Sequence, residues 1–296
     1  MRLLKTAIVL LIVLNFVIQC SKDEKSPTNP DNNFDKIEKS PKRGISYNLT
    51  NAEDFEALKN GVTWWYNWYY QTEATEKYFE DYQMEFIPMV WGGNPSNEEI
   101  TLTKSFILQH DEIEYLLVMN EPNLIDQANR TPQQAADDWI IYERIISDLA
   151  EHGREIKLVG PAMNWGTMTN YSNPVVWMDA FLNAYQIKYG REPLIDYLAF
   201  HWYDYGLKSQ LNSLQKYGKQ IWITEMANWN AQINSYAKQS DQMRQMVALC
   251  ENRDDVFRYA WFIGRGEFPD NNYTYLFEEE PGVLTSLGEL YISLPY

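Results

Sequence analysis

Thiols, imidazoles and cationic side chains are all scarce in this chain. Cysteine occurs only at Cys20 and Cys250 in 296 residues, too few for a disulfide framework or a cysteine-ligated metal cluster. Histidine occurs three times, and no two of the three stand at a metal-ligand spacing. No β-like run is followed by a glycine-rich loop of the dinucleotide or P-loop type, so a nucleotide cofactor is not expected. The acidic run at Glu278, Glu279 and Glu280 lacks the alternating oxygen ligands of a calcium loop. Neither a cofactor nor a catalytic metal is therefore predicted. Lys and Arg total 25 against 41 Asp and Glu, a net charge of −16. That sign repels nucleic acid and anionic membrane surfaces and leaves a neutral or cationic partner favoured.

Long apolar runs are also few. One lies in MRLLKTAIVLLIVLNFVIQC behind Arg2 and Lys5, too short and too weakly flanked for a stable membrane span. It reads as an export signal over residues 1–20. FVIQC resembles a bacterial lipoprotein box, in which Cys20 is lipidated and becomes the mature N-terminus, although Gln19 departs from the usual small residue. The membrane is then met only through a lipid anchor, and the expected location is the outer membrane, on its periplasmic face or at the cell surface. The next segment, SKDEKSPTNPDNNFDKIEKSP, is polar and proline-containing and reads as a disordered tether over residues 21–41. With Cys20 lipidated, Cys250 is left as a buried thiol on a predicted helix. A monomer is expected.

Aromatic residues, in contrast, are plentiful, with 11 Trp and 21 Tyr. Flat apolar faces with a polar edge suit sugar rings. From Arg43 onward, eight β-like runs can be counted: RGISYN, VTWWYNW, EFIPMVW, YLLVMNE, IKLVGPAMN, YLAFHWY, IWITEMA and FRYAWFIG. Most are followed by an amphipathic helix. Thr131, Pro132 and Gln134 form a capping signal with Gly153 as a stop, and Asn173, Pro174 and Gly190 repeat the device. This alternation predicts an α/β fold, a (β/α)8 TIM barrel forming a single catalytic domain over residues 42–296.

In such barrels the chemistry sits at the C-terminal ends of the strands. There the runs place Trp91, Asn120 with Glu121, Asn164, His201 with Tyr203, Glu225 and Trp261, with Trp65 and Tyr47 as further candidates. Simple alternation puts Leu117, Met119 and Glu121 on one inward row and Ile221, Ile223 and Glu225 on another. Glu121 and Glu225 then face each other across the barrel mouth. Two facing carboxyls in an aromatic-lined cleft suit glycosidic bond hydrolysis, one giving a proton while the other attacks or activates water. The long segment GRGEFPDNNYTYLFEEEPG after the last run either lines this cleft or forms a solvated cover packed on its own aromatics.

NEPN and TEMANW resemble the signatures of the retaining (β/α)-barrel glycoside hydrolases. More narrowly, RGISYN, VTWWYNW, FIPMVWG, LLVMNEPN, VGPAMN, DYLAFHWY, IWITEMA and GVLTSLGELY are similar to glycoside hydrolase family 128, the glycosyl hydrolase catalytic-core group. That resemblance implies an endo-β-1,3-glucanase acting on neutral β-glucan by double displacement, with Glu121 as acid/base and Glu225 as nucleophile. It further implies that Asn120 holds the hydroxyl beside the anomeric carbon, that His201 or Tyr203 orients Glu225, and that Trp91 and Trp261 serve as sugar platforms. Met119 and Met226 depart from the pattern, since many relatives carry a bulkier aromatic residue there. Two alternatives stay open: a retaining hydrolase of mannan, xylan or galactan, and a surface lipoprotein that binds glucan without cleaving it.

Overall fold

Pro88 breaks the third β-like run in two, so the computed structural model, which describes residues 37–296, contains nine parallel strands where eight runs were counted. They are β1 (Arg43–Ser46), β2 (Trp64–Tyr66), β3 (Glu85–Phe86), β4 (Met89–Val90), β5 (Tyr115–Val118), β6 (Lys157–Met163), β7 (Tyr197–Trp202), β8 (Ile221–Met226) and β9 (Val256–Trp261). Proline has no N–H to give a ladder. Its carbonyl nevertheless accepts from Leu117 N at 3.0 Å, and Ile87 N donates to Trp65 O at 2.9 Å. The sheet runs β3-β2-β1-β9-β8-β7-β6-β5-β4. Its two ends are the halves of the broken strand, so Ile87 and Pro88 close the ring covalently and the architecture is the (β/α)8 barrel.

Helices follow the strands as α1 (Ala52–Leu58), α2 (Tyr78–Tyr82), α3 (Asn97–Gln109), α4 (Pro132–Glu151), α5 (Pro174–Tyr189), α6 (Leu207–Leu214), α7 (Tyr236–Glu251) and α8 (Ser286–Ser293). The expected caps form. Thr131 and Gln134 close a reciprocal capping box on α4, and Asn173 Oδ1 accepts from Val175 N ahead of α5, which ends at left-handed Gly190 (φ 69°). Cys250 is buried on α7, where desolvation pushes its thiol well above the ordinary value.

Two apolar layers hold the barrel. Outside the sheet, Leu116, Val118, Ile221 and Ile223 pack toward the helices. Inside, Trp64, Tyr66, Met89, Leu117 and Trp222 fill the lumen. The Trp64 and Trp222 rings meet at 5.0 Å, and the Arg258 guanidinium lies 4.9 Å from the Trp222 ring while pairing with Glu85 at 2.7 Å. Aromatics of this volume leave a floor under the site in place of a pore.

The base of the barrel is sealed by the segment around β1. Residues 37–41, assigned above to the tether, are part of this packing. Lys39 Nζ donates to Val62 O at 2.7 Å and Tyr82 O at 2.8 Å, and burial lowers its pKa to about 7. The rest of the tether, the export signal and Cys20 lie outside the described residues. Fully buried Arg43 donates to Tyr259 OH at 2.9 Å, to Tyr291 O at 2.8 Å and to Leu294 O at 2.9 Å, and pairs with Glu251 at 3.3 Å. Arg43→Met leaves Glu251 without its cation, with only Tyr259 OH still donating to it, and strands the carbonyls of Tyr291 and Leu294. Urea unfolding is expected to show a loss of about 3–5 kcal/mol, and a loss below about 1 kcal/mol would contradict this role.

Candidate active site

Glu121 does not reach the barrel mouth by simple alternation. Leu117 points into the lumen, but Met119 joins the helix-facing layer. The backbone then takes left-handed conformations at Met119 (φ 58°) and Glu121 (φ 45°). Bonds to both neighbouring strands hold this turn: Met119 N to Val90 O at 2.9 Å, Asn120 N to Trp91 O at 2.8 Å and Glu121 N to Ala162 O at 2.7 Å. Non-glycine residues in this region cost about 1–3 kcal/mol each and cluster at functional sites.

Glu225 also departs from the expected row. On β8 the lumen-facing residue is Trp222, while Ile221 and Ile223 face the helices. Between β7 and β8 the register passes from Phe200↔Ile223 to His201↔Glu225, so Thr224 is an extra residue. That bulge re-aims the strand end and turns Glu225 inward.

The carboxylates meet around one imidazole. His201 Nδ1 lies 2.8 Å from Glu121 Oε1 and 3.3 Å from Glu225 Oε2. One oxygen of each glutamate and this nitrogen all fall within 4.8 Å of one another. Carboxylate oxygens only accept, and His201 Nε2 is buried without a partner, so the proton is assigned to Nδ1. Asn164 Nδ2 donates to Glu121 Oε1 at 2.7 Å. Glu225 Oε1 accepts from Tyr66 OH at 3.0 Å and from Trp68 Nε1 at 2.7 Å, and Oε2 accepts from Tyr203 OH. The expected alternative between His201 and Tyr203 is thus divided: Tyr203 serves Glu225, and His201 sits nearer Glu121.

Burial works against charge on Glu121, but the His201 hydrogen bond and charge and the Asn164 amide outweigh it and hold the carboxyl below its usual range. Desolvation likewise works against an imidazolium at His201, yet the charges of Glu225 and Glu121 raise its pKa. Desolvation and the Glu225 charge push the Tyr66 and Tyr203 phenols far up, so both remain donors. Three ligand-type groups this close have the spacing of a cation site. However, Glu225 is already answered by two phenols and an indole, and Glu121 by an amide and the imidazole, so protein donors supply the compensation an ion would bring.

The site opens into a cleft of about 990 Å³ lined by Trp91, Asn120, Glu121, Asn164, Tyr203 and Glu225 among the predicted residues, with His201 just beneath. Three other candidates lie elsewhere. Trp65 is fully buried between sheet and helices, its ring 4.8 Å from Phe86 and 5.5 Å from Phe55. Trp261 is fully buried with Nε1 donating to Thr274 O at 2.9 Å. Tyr47 OH accepts from Arg265 Nη1 at 3.1 Å and its ring packs 6.1 Å from Phe277. Of the two expectations for the long segment over residues 264–282, the cover packed on its own aromatics is the one found: Phe268 packs 5.3 Å from Tyr275, and the cleft is lined by Phe262 and Ile263 just before the segment and by none of its own residues.

Sequence reading missed Tyr66, Trp68, Trp165, Trp202, Trp229 and Phe262, which touch Glu225 or line the cleft. A signal existed for two of them. Trp64, Tyr66 and Trp68 share parity in VTWWYNW, and the face carrying Trp65 is the outer one. Trp68 itself is left-handed (φ 61°), which aims its indole N–H at the carboxylate. Trp68→Phe keeps an aromatic wall and removes that donor. A hydrogen bond to a charged group is worth about 1.5–3 kcal/mol, so kcat is expected to fall about 10- to 100-fold with little change in KM. A raised KM at unchanged kcat would make Trp68 a platform alone.

Residues 44–291 match the family model described as the glycosyl hydrolase catalytic core. Among solved structures, the chain is similar to a subgroup II endo-β-1,3-glucanase of glycoside hydrolase family 128 from Pseudomonas viridiflava. Identity is 49% and the TM-score 0.82, over 88% of this chain and 100% of that one. A second subgroup II endo-β-1,3-glucanase, from Sorangium cellulosum, is 29% identical with a TM-score of 0.73, over 86% of this chain and 98% of that one. Alkali-sensitive linkage protein 1 of Schizosaccharomyces pombe is 27% identical over 267 residues, 86% of this chain but 45% of that protein. The chain thus spans less than half the length of this curated relative.

Proposed function

Since the chain belongs to the glycosyl hydrolase catalytic core family, and within it to glycoside hydrolase family 128, we propose that it is a retaining endo-β-1,3-glucanase. The observation that carries this reading is the approach of Glu121 and Glu225 oxygens to within 4.8 Å. Retaining enzymes place their carboxyls about 5–5.5 Å apart, whereas inverting enzymes need about 6.5–9.5 Å to admit a water.

In the first step Glu225 attacks the anomeric carbon. Three donors fix its oxygens, so the attack geometry is set before substrate arrives. Glu121 protonates the departing oxygen. With both ring nitrogens of His201 protonated, Nδ1 hands its proton to Glu121 along a 2.8 Å hydrogen bond as Glu121 protonates the leaving oxygen, which leaves a neutral imidazole with its proton on Nε2, and the pair titrates as a unit. In the second step Glu121 takes a proton from water, which attacks the glycosyl–Glu225 ester. Asn120 Oδ1 is buried without a protein partner and borders the cleft, which suits it to the hydroxyl beside the anomeric carbon. The cleft lining includes Glu121, Glu225, Asp126 and Asp204 and no Lys or Arg, which favours a neutral glucan over a sulfated or carboxylated one.

The shared proton sets a pH dependence. Because the neighbouring carboxylates raise His201 above its ordinary 6.5, the proton is kept to higher pH. The alkaline limb of kcat/KM is expected above that value and should move down in His201→Gln. A limb below 6.5 in the native enzyme would contradict the sharing. The arginine-and-lysine start, apolar run and FVIQC box of residues 1–20 support export and lipid anchoring at Cys20, with the outer membrane as the site of action; labelling with a clickable fatty acid, lost in Cys20→Ala, tests this.

Reducing-sugar release from laminarin, curdlan, lichenan, mannan and xylan tests the activity. Release from the β-1,3-glucans is expected. Release only from mannan or xylan would redirect the substrate, and laminarin binding without release would make the protein a binding lipoprotein.

A further inference from the structure

A second, smaller depression of about 270 Å³ shares a wall with the catalytic cleft and is built from the loops after β7 and β8 and from α7. Each loop serves both sides of that wall. After β7, Asp204 lines the cleft and the next residue, Tyr205, lines the smaller groove; after β8, Trp229 lines the cleft while Gln232 and Ile233 line the groove. The wall itself is a hydrogen bond from Asn230 Nδ2 to Asp204 Oδ1 at 2.9 Å, and the same oxygen accepts from Tyr205 N at 2.7 Å. Both loops are pinned. Trp229 N donates to Tyr203 O at 2.8 Å, Asn230 N to Asn228 Oδ1 at 2.9 Å and Ile233 N to Asn230 O at 2.8 Å. Trp202 Nε1 donates to Asp204 O at 2.6 Å, and left-handed Gly206 (φ 83°) turns the chain into α6 directly after Tyr205.

On this fixed backbone Tyr205 leaves 39% of its surface exposed, which makes its ring a face on which a sugar can stack. Amide side chains surround it. Gln242 Oε1 accepts from buried Asn228 Nδ2 at 3.2 Å, so its NH2 is the group left to donate into the groove. The lining carries one cation, Lys238, and one anion, Asp241, a balance that favours an uncharged ligand. We propose that this groove is a remote binding site for a distal stretch of the same β-glucan chain that fills the cleft, so that the protein holds polymer more tightly than short oligosaccharides. This rests on the glucanase reading of the cleft. A chain leaving the cleft over the Asp204–Asn230 wall reaches the groove within one to three residues' width of backbone. Once the cleft is occupied, the second contact is intramolecular and acts at high effective concentration, so even weak stacking adds to affinity. The groove touches no reacting atom, so its contribution is uniform binding, which lowers KM and leaves kcat unchanged.

The test compares laminarin with an activated aryl laminaribioside, whose two sugar rings are too short to span cleft and groove together. Tyr205→Ala is expected to raise KM on laminarin about 3- to 10-fold at unchanged kcat, and to leave both constants for the laminaribioside as in native enzyme. Tyr205→Trp, which keeps a stacking face, should hold the laminarin KM within about twofold of native. Thermal melting of both variants separates these effects from misfolding. An unchanged laminarin KM in folded Tyr205→Ala would overturn the remote site. So would an equal loss on the laminaribioside, which would make Tyr205 a support of the cleft. Either result leaves the hydrolase reading standing, whereas native protein that cleaves neither substrate would overturn both.

Discussion

Glu225→Gln is expected to lower kcat on laminarin about 10⁴-fold or more, because the amide keeps the shape of the side chain and removes the nucleophile. Substrate binding, followed by calorimetry with laminarioligosaccharides, should stay within about threefold. A stability cost should accompany the loss. Glu225 oxygens accept from Tyr66, Trp68 and Tyr203, so a Gln must turn its NH2 toward at least one donor. One buried mismatch costs about 1–3 kcal/mol. A variant with kcat within tenfold of native would remove Glu225 from the nucleophile's place.

Glu121→Ala is expected to lower kcat/KM on laminarin about 10²- to 10⁴-fold, the range of a lost general acid. An activated aryl laminaribioside should suffer less in its first step, since a good leaving group needs no proton. The glycosyl enzyme should then accumulate, as no base remains to deprotonate water. Azide needs no base, so adding it is expected to restore turnover and yield a β-glycosyl azide. Absence of rescue would exclude Glu121 as acid/base, and an azide of inverted configuration would exclude the double displacement.

Local sequence was a good guide wherever a local rule decided the outcome. The capping box of α4, the Asn173 cap of α5 and the glycine stops after both depend on residues within one turn, and the eight runs became a closed barrel despite the division at Pro88. Both glutamates, Asn120, Asn164, Tyr203 and Trp91 follow from one rule, that the last polar residues of barrel strands face the mouth. Alternation failed where long-range pairing overrode it. Left-handed Met119 and the extra Thr224 on β8 are set by the neighbouring strands, and nothing in YLLVMNE or IWITEMA announces them. The tryptophans show the same limit. Residue type marks an aromatic near a strand end, but the face it takes decides between Trp68 at the nucleophile and Trp65 in the outer core. The boundary at residue 42 was drawn from composition, which does not reveal that Lys39 finds two carbonyls.

The most direct test of a double displacement at Glu225 is to trap its intermediate. An activated 2-deoxy-2-fluoro-β-laminaribioside slows both steps but the second more, and intact-mass measurement followed by peptide mapping locates the adduct. One fluorolaminaribiosyl group is expected, on the peptide containing Glu225 and absent in Glu225→Gln. An adduct on another residue, or turnover of the reagent to an inverted product with no adduct, would contradict it.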